Sequence, residues 1–264
     1  MNIDAIGKLV RFGACLLFPL AAGAALAGPM SLVTFEAPTY TAGSNLRGQD
    51  GWGGWSGTAV ITPKLGVETR VLSGDQSAAF KGTVYANRAF DAGTVLADGS
   101  VFSWRILVDG TGGAGMAYLS DNFTGGATPI GILAYPGGNF WLAFNPDASS
   151  TDTGVSVTSG NEYLLEMELD FTAQQFEAFY TDVDGGGSRT SLGTQIFHHA
   201  IDPASILSNG GVYLISSITG GNAVAIFDDI RTVAIPEPST LVLLGIGLAG
   251  LVVVAFRTGR KQRG

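Results

Sequence analysis

Gly51-Trp52-Gly53-Gly54-Trp55 reads as a glycine-rich loop carrying two indoles. An aromatic ring face complements the C–H face of a pyranose, so Trp52 and Trp55 are candidate carbohydrate contacts. The plainer use of either ring is to close over a β core. Asp182-Val183-Asp184-Gly185 puts two carboxylates at alternating positions before a glycine turn, a pattern that could bind Ca²⁺. The acid-free stretch from Gly185 to Ala200 withholds the bidentate Glu of an EF-hand, and a solvated hairpin tip is the simpler assignment. No other cofactor is implied.

Catalytic patterns are sparse. Glu166 and Glu168 share one face of an extended segment, about 7 Å apart at strand rise. Some sandwich glycosidases carry Glu-x-Asp-x-x-Glu, but this run reads Glu166-Met167-Glu168-Leu169-Asp170, with the third acid misplaced. A glycan hydrolase or lyase on these acids is therefore the alternative reading, and a non-enzymatic protein the leading one. His198 and His199 are adjacent and diverge in an extended chain, and no HExxH accompanies them. Gly54-Trp55-Ser56-Gly57 does not match the serine-nucleophile pattern G-x-S-x-G. Asp228 and Asp229 fall in a strand, so one is expected to be exposed and the other free to hold a loop or a cation.

The elements that carry these residues read as strands. Phe102, Trp104, Ile106 and Val108 share one face of Val101–Asp109. Tyr163, Leu165, Met167, Leu169 and Phe171 alternate with acids through Glu162–Phe171, and Gln174–Thr181 returns as the second arm of a hairpin turning near Thr172-Ala173. Further strands are expected at Leu32–Glu36, Thr58–Thr62, Ala114–Ser120, Ile130–Tyr135, Phe140–Asn145, Ser191–Phe197, Gly211–Thr219 and Ala223–Val233. Turns are expected at Asp109-Gly110, Gly125-Gly126, Pro136-Gly137-Gly138, Gly185-Gly186-Gly187 and Gly220-Gly221-Asn222. One short helix is expected, Pro203 to Ser208, capped by Asp202 and ended by Asn209-Gly210. Many short strands without βαβ alternation indicate an all-β, antiparallel two-sheet sandwich over residues 28–233.

Charge is unevenly distributed. Residues 28–235 hold 8 basic and 20 acidic side chains, a formal charge of about −12, which argues against nucleic acid as a partner. The single cysteine, Cys15, lies in an N-terminal segment of basic, apolar and small-residue regions ending Ala25-Leu26-Ala27. Residues 1–27 read as a signal peptide, a helix removed by signal peptidase before Gly28. At the other end, Thr240 to Phe256 carries no charge and is just long enough to span a bilayer as a helix. Arg257, Arg260, Lys261 and Arg263 follow, which places the body outside and the tail inside.

Immediately before that helix stands Pro236-Glu237-Pro238-Ser239, an extended segment that prolines keep out of a helix. The order Pro-Glu-Pro, apolar helix, basic end resembles the PEP-CTERM sorting signal of exopolysaccharide-producing Gram-negative bacteria. That segment is also known under an ice-binding-protein C-terminal heading. The resemblance covers residues 234–264 and implies that an exosortase, a membrane transpeptidase, is a partner. Pro236, Glu237 and Pro238 would then be recognised residues in a substrate. A GPI-type signal does not fit the basic end. Phe35-Glu36, Gly48-Gln49-Asp50-Gly51-Trp52, the central hairpin and Phe227-Asp228-Asp229-Ile230 also resemble the concanavalin-like or laminin-G-like jelly rolls found ahead of such tails.

These observations describe a protein exported across the inner membrane, held there transiently by its C-terminal helix, and delivered to the cell surface or the extracellular matrix. Its body is expected to bind polysaccharide or to serve as a structural part of the exopolysaccharide matrix. Ice binding would require flat, repeating ranks of threonine, and the chain has none.

Overall fold

Apolar–polar alternation is the strongest local signal in this chain, and it governs the fold. The computed structural model describes residues 31–63, 71–122, 130–143, 149–197 and 200–233. Strand β9, Glu162–Asp170, buries Tyr163, Leu165, Met167 and Leu169 and turns Glu166 and Glu168 the other way. β10, Gln175–Asp182, pairs with it, setting Phe179 opposite Glu166 and Glu177 opposite Glu168. On β4, Val101–Thr111, the side chains of Phe102, Trp104, Ile106 and Val108 are all sealed in the core.

The remaining strands are β1 Ser31–Val33, β2 Gly53–Pro63, β3 Gln76–Arg88, β5 Gly115–Ser120, β6 Ile130–Ala134, β7 Asn139–Ala143, β8 Thr151–Ser156, β11 Thr190–Ile196, β12 Gly211–Ser217 and β13 Thr219–Val233. Their hydrogen bonds form one path, β11-β10-β9-β4-β13-β3-β12-β5-β6-β7-β8, with β1 joined to β13 and β2 to β3. Every pairing among the described strands is antiparallel.

This path rolls over on itself. Phe140 of β7 meets Tyr163 of β9 edge-on at 5.2 Å and Tyr180 of β10 at 5.4 Å, although these strands are far apart along the path. At its two ends, Thr151 of β8 donates to the Gln195 side-chain oxygen of β11 at 2.9 Å. Two facing layers thus share one apolar core, and they remain joined through β3 and β13. β3 changes neighbour at Gly82: Ala78–Phe80 pair with β13, whereas Thr83–Arg88 pair with β12. Gly82 takes φ +75, a conformation glycine adopts without strain, at this corner.

The one helix among the described residues, α1, spans Pro203–Asn209. Its cap is Asp202, which accepts from the Ala204 N–H at 2.7 Å and the Ser205 hydroxyl at 2.6 Å. No described helix is long and apolar enough to cross a membrane. The expected signal helix at 1–27 and C-terminal helix at 240–256 lie outside the described residues.

Three departures from the sequence reading stand out. β3 and β8 were not expected as strands. β2 begins at Gly53, so Gly53-Gly54-Trp55 belongs to a strand and not to a loop. The expected turn at Gly220-Gly221-Asn222 lies inside β13, where the pairing with β4 shifts register between Thr219 and Val224.

Candidate functional site

Strands β3, β12, β5, β6 and β7 lie side by side, and strict alternation gives them two faces. Val212, Leu214, Ala117, Leu119, Ile132 and Phe140 point into the core. The opposite face is also apolar and aromatic. One rung of cross-strand partners runs Asn87, Tyr213, Tyr118, Gly131, Ala143. The next runs Tyr85, Ile215, Met116, Leu133, Trp141 and ends on Asp152 of β8.

Tyr118 and Tyr213 stack with centroids 4.8 Å apart and planes 9° from parallel. Trp141 meets Tyr135 edge-on at 6.0 Å. A Cβ on Gly131 would stand 2.5 Å from the Tyr118 Cβ and 2.7 Å from the Ala117 carbonyl, so glycine is what admits the tyrosine pair. Burial pushes the Tyr118 phenol above its ordinary pKa, with Tyr213 and Tyr85 adding to the effect. Burial raises Tyr213 as well, against the opposing pull of a hydrogen bond with Asn87. Both phenols therefore stay protonated at neutral pH. At the rim Tyr85 is 39% exposed, and Trp141, Leu133 and Tyr135 are half-buried. Among the described residues, this face offers ring surfaces, hydroxyls and amides.

The residues singled out in the sequence fall elsewhere. Trp52 is only 2% exposed and packs in the core at 5.9 Å from Phe35. Its indole N–H donates to the Tyr40 hydroxyl at 3.0 Å, and that hydroxyl donates to Asp50 at 2.7 Å. Arg88 closes the cluster with a contact to Asp50 at 2.9 Å. Burial first, then the Asp50 hydrogen bond, lifts the Tyr40 pKa well above its ordinary value. Trp52 thus has no ring face to offer a sugar, which corrects its candidacy as a carbohydrate contact. The side chain of Trp55 lies outside the described residues, as do His198, His199, Pro236, Glu237 and Pro238.

Asp182 and Asp184 are taken up by backbone and, for Asp182, also by the Asn161 amide, 3.3 Å from both carboxylate oxygens. Asp182 accepts from the Gly185 N–H at 2.8 Å, and Asp184 accepts from the Glu162 N–H at 2.8 Å. Both bonds shape the turn after β10. Among the described residues, no group of three His, Cys, Asp or Glu side chains gathers to hold a metal ion. Glu166 and Glu168 are bridged by one guanidinium, Arg189, at 2.8 and 2.6 Å. Arg189 in turn lies 3.3 Å over the Phe179 ring. Asp170 is spent on the hairpin, accepting from the Ala173 N–H at 2.7 Å. Asp228 is the member of its pair that turns inward and holds a loop, while Asp229 pairs with Arg105 at 3.1 Å.

The aromatic face itself was within reach of the sequence. Gly115–Ser120, Ile130–Ala134, Asn139–Ala143 and Gly211–Ser217 are apolar at both odd and even positions, unlike the acid-alternating β9. A strand apolar on both faces has a second surface to cover or to use.

Comparison with known proteins adds a different kind of information. Residues 234–261 match the PEP-CTERM protein-sorting motif. That motif implies an exported protein, handled by an exosortase and anchored in a membrane before release. No curated protein matches the chain. Among solved structures, the body is similar to legume lectins. Peanut lectin with a nonapeptide is 12% identical at TM-score 0.44, covering 73% of this chain and 95% of that one. Winged bean acidic lectin complexed with methyl-α-D-galactose is 9% identical at TM-score 0.43, covering 78% and 100%. Domain 4 of AbnA, an extracellular arabinanase from Geobacillus stearothermophilus in complex with arabinotriose, is 10% identical at TM-score 0.40, covering 79% and 93%. At these scores the likeness assigns neither ligand nor activity to this chain.

Proposed function

We propose that this is a non-enzymatic protein of the cell surface or extracellular matrix, delivered by exosortase sorting, whose body binds polysaccharide of the exopolysaccharide matrix. The match of residues 234–261 to the PEP-CTERM motif carries the delivery half of this reading. Residues 1–27 would be the signal peptide and 234–264 the sorting segment, with Pro236, Glu237 and Pro238 as its recognised residues. The aromatic face supports the binding half. The Arg189 bridge across Glu166 and Glu168 speaks against hydrolysis, because a general acid and base pinned to one guanidinium are poorly placed to exchange protons.

Mass spectrometry of the mature C-terminus tests the delivery half, in wild-type cells and in cells lacking exosortase. Processing close to Pro236-Glu237-Pro238 is expected in the first and an intact tail in the second. An intact tail in both overturns exosortase sorting. Glu237→Ala should reproduce the unprocessed state in wild-type cells.

A further inference from the structure

The electrical character of the sheet changes along its path. β4, β9, β10 and β13 carry acids and arginines, including Arg105, Glu166, Glu168, Glu177 and Asp229. β5, β6, β7 and β12 carry no Asp, Glu, Lys or Arg. β3 adds Arg88, which is buried and paired with Asp50 and Asp91, and Lys81, exposed on the same side of the strand as Tyr85 but four residues, about 13 Å, along it. The single carboxylate at the far edge, Asp152, already accepts from the Asn139 amide at 2.9 Å and the Gly154 N–H at 2.8 Å.

Resting on the polysaccharide reading above, we infer that the aromatic face takes an uncharged glycan, laid across the strands along the rung from Tyr85 to Trp141. A uronate or sulfated polymer would have to shed the hydration of its charges over phenols and methyl groups, with no cation among the described residues on the rung itself to pair them. It would also approach a body of about −12 formal charge. A neutral sugar gives up only hydroxyl hydration, and the Tyr85 phenol at the exposed rim can replace part of it. Four inter-strand steps separate Tyr85 from Trp141, about 19 Å, which accommodates a short run of sugar rings.

A second copy of the chain fits the face less well. Met116, Tyr118 and Tyr213 are 6–7% exposed and Ala143 1% exposed within the single chain. Little apolar area is left to bury, whereas a stable dimer buries about 800 Å² per partner. What stays open is the ring-bearing rim, Tyr85 and Trp141.

The test uses the purified full-length protein in detergent, with binding measured to immobilised dextran, xylan and β-glucan as neutral polymers and to alginate and polygalacturonate as anionic ones. The expected result is binding to a neutral polymer that Tyr85→Ala and Trp141→Ala each weaken about three- to tenfold. Tyr85→Phe and Trp141→Phe should retain most of it, which separates lost stacking from lost folding. Added salt should leave it unchanged. Salt-sensitive binding to alginate or polygalacturonate that survives both alanine variants overturns the uncharged-glycan inference and leaves the polysaccharide reading standing. Failure to bind any of the polymers overturns both. Concentration-dependent dimerisation abolished by Trp141→Ala also overturns the inference, by giving the face to a second copy.

Discussion

Asp228 and Ser77 lie 151 positions apart and are joined by a hydrogen bond of 2.6 Å in the sealed interior, where β13 passes the start of β3. The same Asp228 oxygen accepts from the Ser73 N–H at 3.1 Å, and Ser77 accepts from the Leu72 N–H at 3.1 Å. The segment leading into β3 therefore hangs on one buried carboxylate. Glu36 holds its other end, accepting from the Asp75 and Gln76 N–H groups at 2.8 and 3.1 Å.

Burial pushes the Asp228 pKa up to about 7, against the pull of the Ser77 hydrogen bond. Unfolded, this carboxyl ionises near 3.8, so between those values the folded chain keeps a proton that the unfolded chain releases. Stability from this group is therefore full below the unfolded value and falls as pH rises towards 7. From about pH 5 to about pH 8 the loss should be on the order of a few kcal/mol, read as a falling Tm. Asp228→Asn should flatten that slope. A wild-type Tm that tracks the variant across this range would show that Asp228 titrates normally.

Trp52→Ala should destabilise the body by about 3–5 kcal/mol in urea denaturation, as for other buried aromatic deletions. Trp52→Phe keeps most of the packing and loses the indole bond to Tyr40, about 1 kcal/mol. Polymer retention by folded Trp52→Phe should equal wild type. A selective loss of retention would return this residue to the binding site.

Arg189→Met should cost no more than about 1 kcal/mol, because the bridge to Glu166 and Glu168 is substantially exposed and screened. A double-mutant cycle with Glu166→Gln gives the coupling directly. Retention on neutral polymers should not change, since these residues sit on the charged strands. Reducing-end release that disappears in Glu166→Gln would instead establish the hydrolase reading.

The hairpin of β9 and β10 was legible because its two faces differ in chemistry, acids on one and large apolar side chains on the other. β3 was not. Ala78, Ala79 and Ala86 give little hydrophobic contrast, Lys81 and Gly82 interrupt the pattern, and the first five residues of the strand are buried on both faces. Trp52 misled for a related reason: glycines beside an indole suggest an open loop, yet Phe35, Tyr40 and Arg88 come from distant positions to enclose it. The stacking of Tyr118 on Tyr213 depends on a cross-strand register that links residues 95 positions apart in the chain, and local periodicity carries no such information. Asp182 and Asp184 stand at a turn, as the pattern before Gly185 suggested, but the backbone N–H groups and the Asn161 amide that bind them are brought there by the fold.

The placement of β13 has a mechanical consequence. Its last described residue, Val233, leads directly into the segment matched by the sorting motif. β13 is bonded to β4 along much of its length on one edge, and to β3 and then β1 on the other. Inter-strand bonds run perpendicular to the strand, so tension drawn along β13 from residue 234 loads many of them at once instead of peeling them one by one. Force applied at this terminus therefore meets β13 in shear and is shared between three neighbouring strands.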